Sequence, residues 1–239
     1  MKAGRPVFSA QTHRPARTLG AAARFVDRVG FALLMPHQGI PMPTLWEAIR
    51  GKPGGHPFRT WTEDSDRMWE FKDELPKCRL AFYGSLWLGH PGFASLELLP
   101  CLMKLWGCPS GEDGFRSAYR EGRLSFDANR IGEALLRSRA VNTYRLRLKA
   151  GLQPNTFKRA FVELQRKLIV AKCGTDETDT TWATEVVDLS ARVFPKAHAE
   201  VGAISFLEAR EESLAALSRH APGLAPRQVA RLLRVGPER

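Results

Sequence analysis

The chain has 239 residues and a formal net charge of +11, most of the excess being arginine. With 44% hydrophobic and 26% charged residues, it is large enough to bury a core without disulfide or metal staples, and no apolar run approaches the roughly 18–20 residues that span a bilayer. The cysteines, Cys78, Cys101, Cys108 and Cys173, form no C-x-x-C pair, which argues against a zinc ribbon or a disulfide scaffold and fits a reducing cytoplasm.

In chain order, residues 1–19 are acid-free, carry Lys2, Arg5, Arg14 and Arg17, and are broken by Pro and Gly. They are expected to form a disordered basic arm, with a transit peptide as the competing reading; no apolar stretch of a secretory leader follows them. Leu19, Ala22, Ala23, Val26, Val29 and Leu33 recur at helical spacing, which predicts one helix over 19–34. Pro36, Gly39 and Pro41 make a loop, and Pro43 to Ile49 reads as a short helix with Pro in its first turn and Gly51 after its end. Residues 62–75 read as an amphipathic helix with Met68 and Phe71 inward. The run Arg79 to Gly89 reads as a hairpin turning at Gly84-Ser85. Residues 95–106 form a buried connecting helix with Pro100 at a kink or near its start, and 107–114 is a polar linker.

The second half repeats this order more clearly. Ser125 caps a helix running to about Arg137, with Phe126, Ile131, Leu135 and Leu136 on or near its buried face. Asn142-Thr143 caps a short helix carrying Leu146 and Leu148. Gly151-Leu-Gln-Pro is a turn, and 155–168 is a helix with Phe157, Phe161, Leu164 and Leu168 on one face. Residues 168–173 read as a strand, 174–179 as a polar tip, and 181–189 as the return strand. Residues 197–220 then form a helix, and 227–235 a short basic amphipathic helix, together a terminal hairpin. The predicted fold is mainly α with short β-hairpins (α+β), a tandem winged helix-turn-helix. The expected segments are the arm (1–19), a helical, degenerate winged-helix domain (20–107), a winged helix-turn-helix domain (114–189) and a helical tail (190–239).

The charge is clustered. Residues 123–167 hold eleven Lys or Arg against Asp127, Glu133 and Glu163. A clustered basic face points to a polyanion, nucleic acid before membrane, and an Arg-rich surface without a partner is the plain alternative. In a winged helix the last helix before the wing enters the major groove. The candidate contacts there are Asn155, Lys158, Arg159, Arg166 and Lys167, able to meet base edges or phosphates alike. Arg145, Arg147 and Lys149 of the preceding helix suit the backbone, as does Thr143 at its start. The acids Asp176, Glu177 and Asp179 at the wing tip oppose a wing laid on phosphates.

Several segments resemble the AlkZ-related proteins, winged-helix relatives of the AlkZ/YcaQ-type DNA glycosylases that act on alkylated bases and crosslinks. They are Phe25-Val-Asp-Arg-Val-Gly-Phe, Pro41-Met-Pro-Thr-Leu-Trp-Glu-Ala-Ile-Arg-Gly, Phe82-Tyr-Gly-Ser-Leu and Leu96-Glu-Leu-Leu-Pro. The segment from Tyr119-Arg-Glu-Gly-Arg-Leu-Ser to Leu164-Gln-Arg-Lys-Leu-Ile-Val is similar to the middle winged helix of that group. The resemblance implies tandem winged helices around a concave DNA-facing surface. The catalytic members carry a Gln-x-Gln or Gln-x-Asp pair that positions water; here Gln11, Gln38, Gln153, Gln165 and Gln228 are each isolated.

These observations predict a protein of double-stranded DNA, linked to DNA repair and non-catalytic, with no membrane, metal or cofactor. A glycosylase for alkylated bases is the alternative, with His37, Gln38, Asp64 and Asp66 beside Trp46 or Trp61 as weak candidates. A protein-interaction or ligand-sensing module is the second alternative. Trp69, Trp87 and Trp106 are read as core.

Overall fold

The computed structural model describes residues 14–178 and 183–235. Of the basic arm, residues 1–13 lie outside the described residues, whereas Ala16 is buried and donates its N–H to the Ala48 carbonyl. Helix α1 (Leu19–Val29) starts where the Thr18 hydroxyl accepts the Ala21 N–H. It ends at Gly30, whose φ of 73° strains any residue with a Cβ. The helix predicted to reach residue 34 therefore stops at Val29. Phe31–Leu33 is a strand, β1, in which Phe31 and Leu33 face one core while Ala32 and Leu34 face another. Leu33 lies four residues after Val29, which imitates a helical period.

Helix α2 (Leu45–Arg50) is capped by Thr44 and closed by Gly51 in the left-handed conformation, so Pro43 precedes the cap and is not in the first turn. Helix α3 (Glu63–Lys77) buries Met68 and Phe71 as the pattern predicts. Strands β2 (Phe82–Trp87) and β3 (His90–Ala94) make the hairpin, but the chain turns at Leu88 and Gly89, at φ 54° and 91°. Gly84 lies inside β2 opposite Gly92, just before a bulge. Helix α4 (Leu99–Leu105) holds Pro100 in its first turn, where no intrahelical N–H is needed. Helix α5 (Gly114–Arg120) follows the linker without having been foreseen.

Next come α6 (Phe126–Ser138), β4 (Val141–Asn142), α7 (Thr143–Lys149), α8 (Pro154–Arg166), β5 (Val170–Asp176) and β6 (Thr184–Leu189). The expected tip thus contributes Gly174 to Asp176 to β5, and the expected start of the return strand, Thr181, lies outside the described residues. The chain ends in α9 (Ser190–Val193), α10 (Pro195–Glu200), α11 (Phe206–His220) and α12 (Pro226–Leu233). The single helix predicted over 197–220 is broken, because Ser205 caps a new start through a reciprocal box with Glu208.

The fold is α+β, with twelve helices and two three-stranded antiparallel sheets among the described residues. One order occurs twice: α1-β1-α2-α3-β2-β3, then α6-β4-α7-α8-β5-β6, with sheets β1-β3-β2 and β4-β6-β5. The two copies pack reciprocally. Helix α3 lies against β5, and α8 against β2. One core fills the angle between α1, α2 and α3, and another that between α6, α7 and α8. A third joins the far face of the first sheet to α4, α11 and α12.

Candidate nucleic-acid interface

The α7–α8 unit is fixed at both ends of its turn. Asn142, buried at the start of α7, accepts the Arg145 N–H at 2.8 Å and donates to Asp176 Oδ2 at 2.7 Å. Gly151 takes a φ of 62°, Leu152 is buried, and Pro154 opens α8. Phe157, Ala160, Phe161 and Leu164 turn inward, with the two phenyl rings stacked at 5.4 Å. The opposite line of the helix is then fixed by its 3.6-residue period. Asn155, Lys158, Arg159 and Arg166 are all exposed along it.

The only acid of α8, Glu163, is drawn away from that line. Its carboxylate accepts the Ser125 N–H at 2.8 Å and hydroxyl at 2.6 Å. Glu133 is paired with Arg116 at 2.6 Å. Asp176, one of the three acids that oppose a wing laid on phosphates, accepts from Thr178 and Asn142, bonds that hold its carboxyl at about 2 and keep it charged, and Glu177 beside it is exposed. The neighbouring candidate Asp179 lies outside the described residues. The local excess of cations is thereby presented on the surface while two of the three acids of this segment are internally engaged.

The remaining predicted contacts divide. Arg145 and Lys149 are exposed on α7, and Thr143 is half-buried at its first position. Arg147 is half-buried, stacked 5.4 Å from the Tyr144 ring and donating to the Leu152 carbonyl. Lys167 is half-buried just after α8. Desolvation, then the cations Arg123 and Arg234, lower its pKa. The Arg166 carbonyl accepts a hydrogen bond from Arg234.

Sequence reading missed the aromatic side of this face. Phe126 is 61% exposed instead of buried, because it occupies the first position of α6, and Arg130 lies over its ring at 5.8 Å. Tyr119, Tyr144 and Leu148 are exposed as well. The signal was legible in the aromatic–arginine spacings of three and four residues, which bring ring and cation together on a helix.

The residues considered for base excision do not form one constellation. His37 stacks on His90 with ring centroids 3.6 Å apart, and Gln38 is exposed in the same loop. Asp64 pairs with Arg67 at 3.3 Å, and Asp66 accepts the Trp61 indole N–H at 2.7 Å. Trp46 is buried with Arg50 over its ring at 5.1 Å. Trp87 and Trp106 are core, but Trp69 is 37% exposed and joins Phe58 and Trp61 in a surface patch. A serine–histidine contact exists elsewhere: Ser190 Oγ lies 2.9 Å from His198 Nε2. The Ser190 hydroxyl donates to the Leu168 carbonyl, so the histidine donates to the serine and does not activate it. No group of three or more His, Cys, Asp or Glu suited to a metal occurs among the described residues, and none of their helices is long and apolar enough to cross a membrane.

A family model described as AlkZ related matches residues 16–234. No curated protein and no solved structure matches the chain.

Proposed function

Since the chain belongs to the AlkZ-related family, we propose that it binds double-stranded DNA through two winged helices in tandem and serves DNA repair without itself breaking a glycosidic bond. The observation that carries this reading is the exposed line Asn155, Lys158, Arg159 and Arg166 on α8, whose only acid, Glu163, is turned to Ser125. The repeated order of helices and strands supports the winged-helix assignment, since a third helix followed by a two-stranded wing recurs at 63–94 and 154–189. The proposed halves run over 20–107 and 114–189, with 190–239 as a helical tail. Arg145 and Lys149 contact the same backbone from α7, and Thr143, Arg147 and Lys167 support that surface from half-buried positions. The separation of the glutamines and the direction of the Ser190–His198 bond support a binding role over base excision.

The test is binding of the full chain to a labelled duplex over a salt series. Arg159→Ala with Arg166→Ala is expected to weaken binding about tenfold and to flatten the log–log salt slope by about two, one for each lost phosphate contact. Unchanged affinity and slope would overturn the α8 assignment. Alkylated duplex in the same samples is expected to release no base at protein excess. Released base would replace the binding role by catalysis.

A further inference from the structure

Helices α11 and α12 line an open cleft of about 1100 Å³, just above the usual range for ligand sites. Four arginines line it: Arg210 from α11, and Arg227, Arg231 and Arg234 from α12 and its end. Arg227 and Arg231, spaced i and i+4, share one face of α12, and Arg234, just past its end at a φ of 57°, extends the row along the same cleft. The floor between them is apolar and includes Leu214 and Val229, and no acid lines the cavity among the described residues. Arg227 and Arg231 are exposed and make no ion pair among the described residues. Such a stripe is not required by packing, because α12 is held in the core by Leu232 and Leu233, with Val229 packed against it.

The stripe joins the α8 face. Arg234 donates to the Arg166 carbonyl, and its guanidinium lies over Trp106, 3.8 Å from the ring centre. That contact anchors the near end of the stripe before any ligand arrives. Lys167 feels both Arg123 and Arg234, so these cations lie within one electrostatic neighbourhood. Guanidinium groups in a row over an apolar floor match a sugar–phosphate strand, whose anions recur along its length and whose sugars offer apolar faces. An isolated carboxylate would engage only one or two of them.

We propose that the α11–α12 cleft is a second DNA contact, in which Arg227, Arg231 and Arg234 hold the sugar–phosphate backbone of the same duplex that α8 engages. This rests on the proposed function and extends it beyond the repeated halves to the C-terminal helices. It also gives those helices a role apart from covering the first sheet.

Full-length protein carrying Arg227→Ala and Arg231→Ala is compared with wild type and with the α8 double variant on a labelled duplex. Both arginines are exposed, so thermal melting is expected to match wild type. The expected result is a loss of about tenfold in affinity and a salt slope smaller by about two. Arg227→Lys with Arg231→Lys should keep the slope and recover only part of the affinity, since lysine retains the charge without the bidentate fork. Wild-type affinity and slope in the alanine pair, with the α8 pair impaired, would overturn the cleft and leave the α8 reading standing. Loss in the cleft pair with an unimpaired α8 pair would support the cleft and overturn the α8 assignment. No binding of wild type to the duplex would overturn both. A polyglutamate peptide that binds wild type but not the cleft pair, and displaces the duplex, would overturn DNA as the occupant.

Discussion

His198 shows how a side chain with the outline of a catalytic base is committed to structure. Its Nε2 lies 2.9 Å from Ser190 Oγ, and the serine proton is directed to Leu168. Burial holds its pKa below the ordinary 6.5, because the imidazolium would lose solvent. The direction of the linkage follows. Above about pH 6.5 the ring is neutral in both states and its contribution to stability is complete. As pH falls below that value, the unfolded chain takes up the proton first and stability declines until the folded-state pKa is reached. His90 is lowered too, by desolvation and by His37, and acts in the same direction. The thermal midpoint is therefore expected to fall between about pH 7.5 and about pH 5. His198→Gln, which keeps an amide donor for Ser190, should remove part of that fall. An equal fall in the variant and wild type would show that His198 is not a source.

At the scale of the elements, the first hairpin depends on one close approach. Trp87 of β2 reaches across β3 to donate its indole N–H to the Ala32 carbonyl of β1 at 3.0 Å. Gly92 sits beneath that contact, and a Cβ there would lie 2.3 Å from the Ala32 oxygen and 2.4 Å from the Trp87 ring. Neither neighbour is the free end of a flexible chain. Gly92→Ala should cost about 1–3 kcal/mol, toward the upper limit for overpacking. Gly84→Ala, whose Cβ would meet nothing nearer than 3.6 Å, serves as the control. Equal urea midpoints for the two variants would contradict this account. The same hairpin marks what sequence could and could not yield. Apolar alternation located both strands, but Gly84-Ser85 drew the turn away from Leu88-Gly89, because a glycine needed for a close pairing carries the same letter as one needed for a turn. Capping chemistry was more informative: Ser125 and Asn142 each begin the helix that their side chains suggest. The exposed cationic line of α8 was legible from periodicity and charge. The release of that line from Glu163 was not, since its partner Ser125 lies 38 positions away.

For the whole molecule, the decisive contact is the one that locks one repeat to the other. Lys172 of β5 is only 4% exposed and bonds Asp73 of α3 at 2.5 Å, with Glu185 at 3.4 Å. Its ammonium also lies 5.3 Å from the Tyr83 ring of β2. The third helix of the first repeat is thus held by strand β5 of the second, while α8 abuts β2 in return. This packing fixes where the α8 cations stand relative to α12, which a flexible linker between two modules would leave undefined. Removing one partner of a fully buried pair costs about 3–5 kcal/mol. Asp73 and Glu185 keep partial contact with solvent, and Lys72 remains 2.7 Å from Asp73, so Lys172→Ala should cost less, about 1–3 kcal/mol. Asp73→Ala should overlap with it: in urea unfolding, the double variant is expected to fall short of the summed losses by about 1 kcal/mol or more, the coupling of groups in direct contact. Simple additivity would mean that the ion pair contributes nothing to the junction. The reciprocal packing of helix against strand would then rest on its apolar contacts alone.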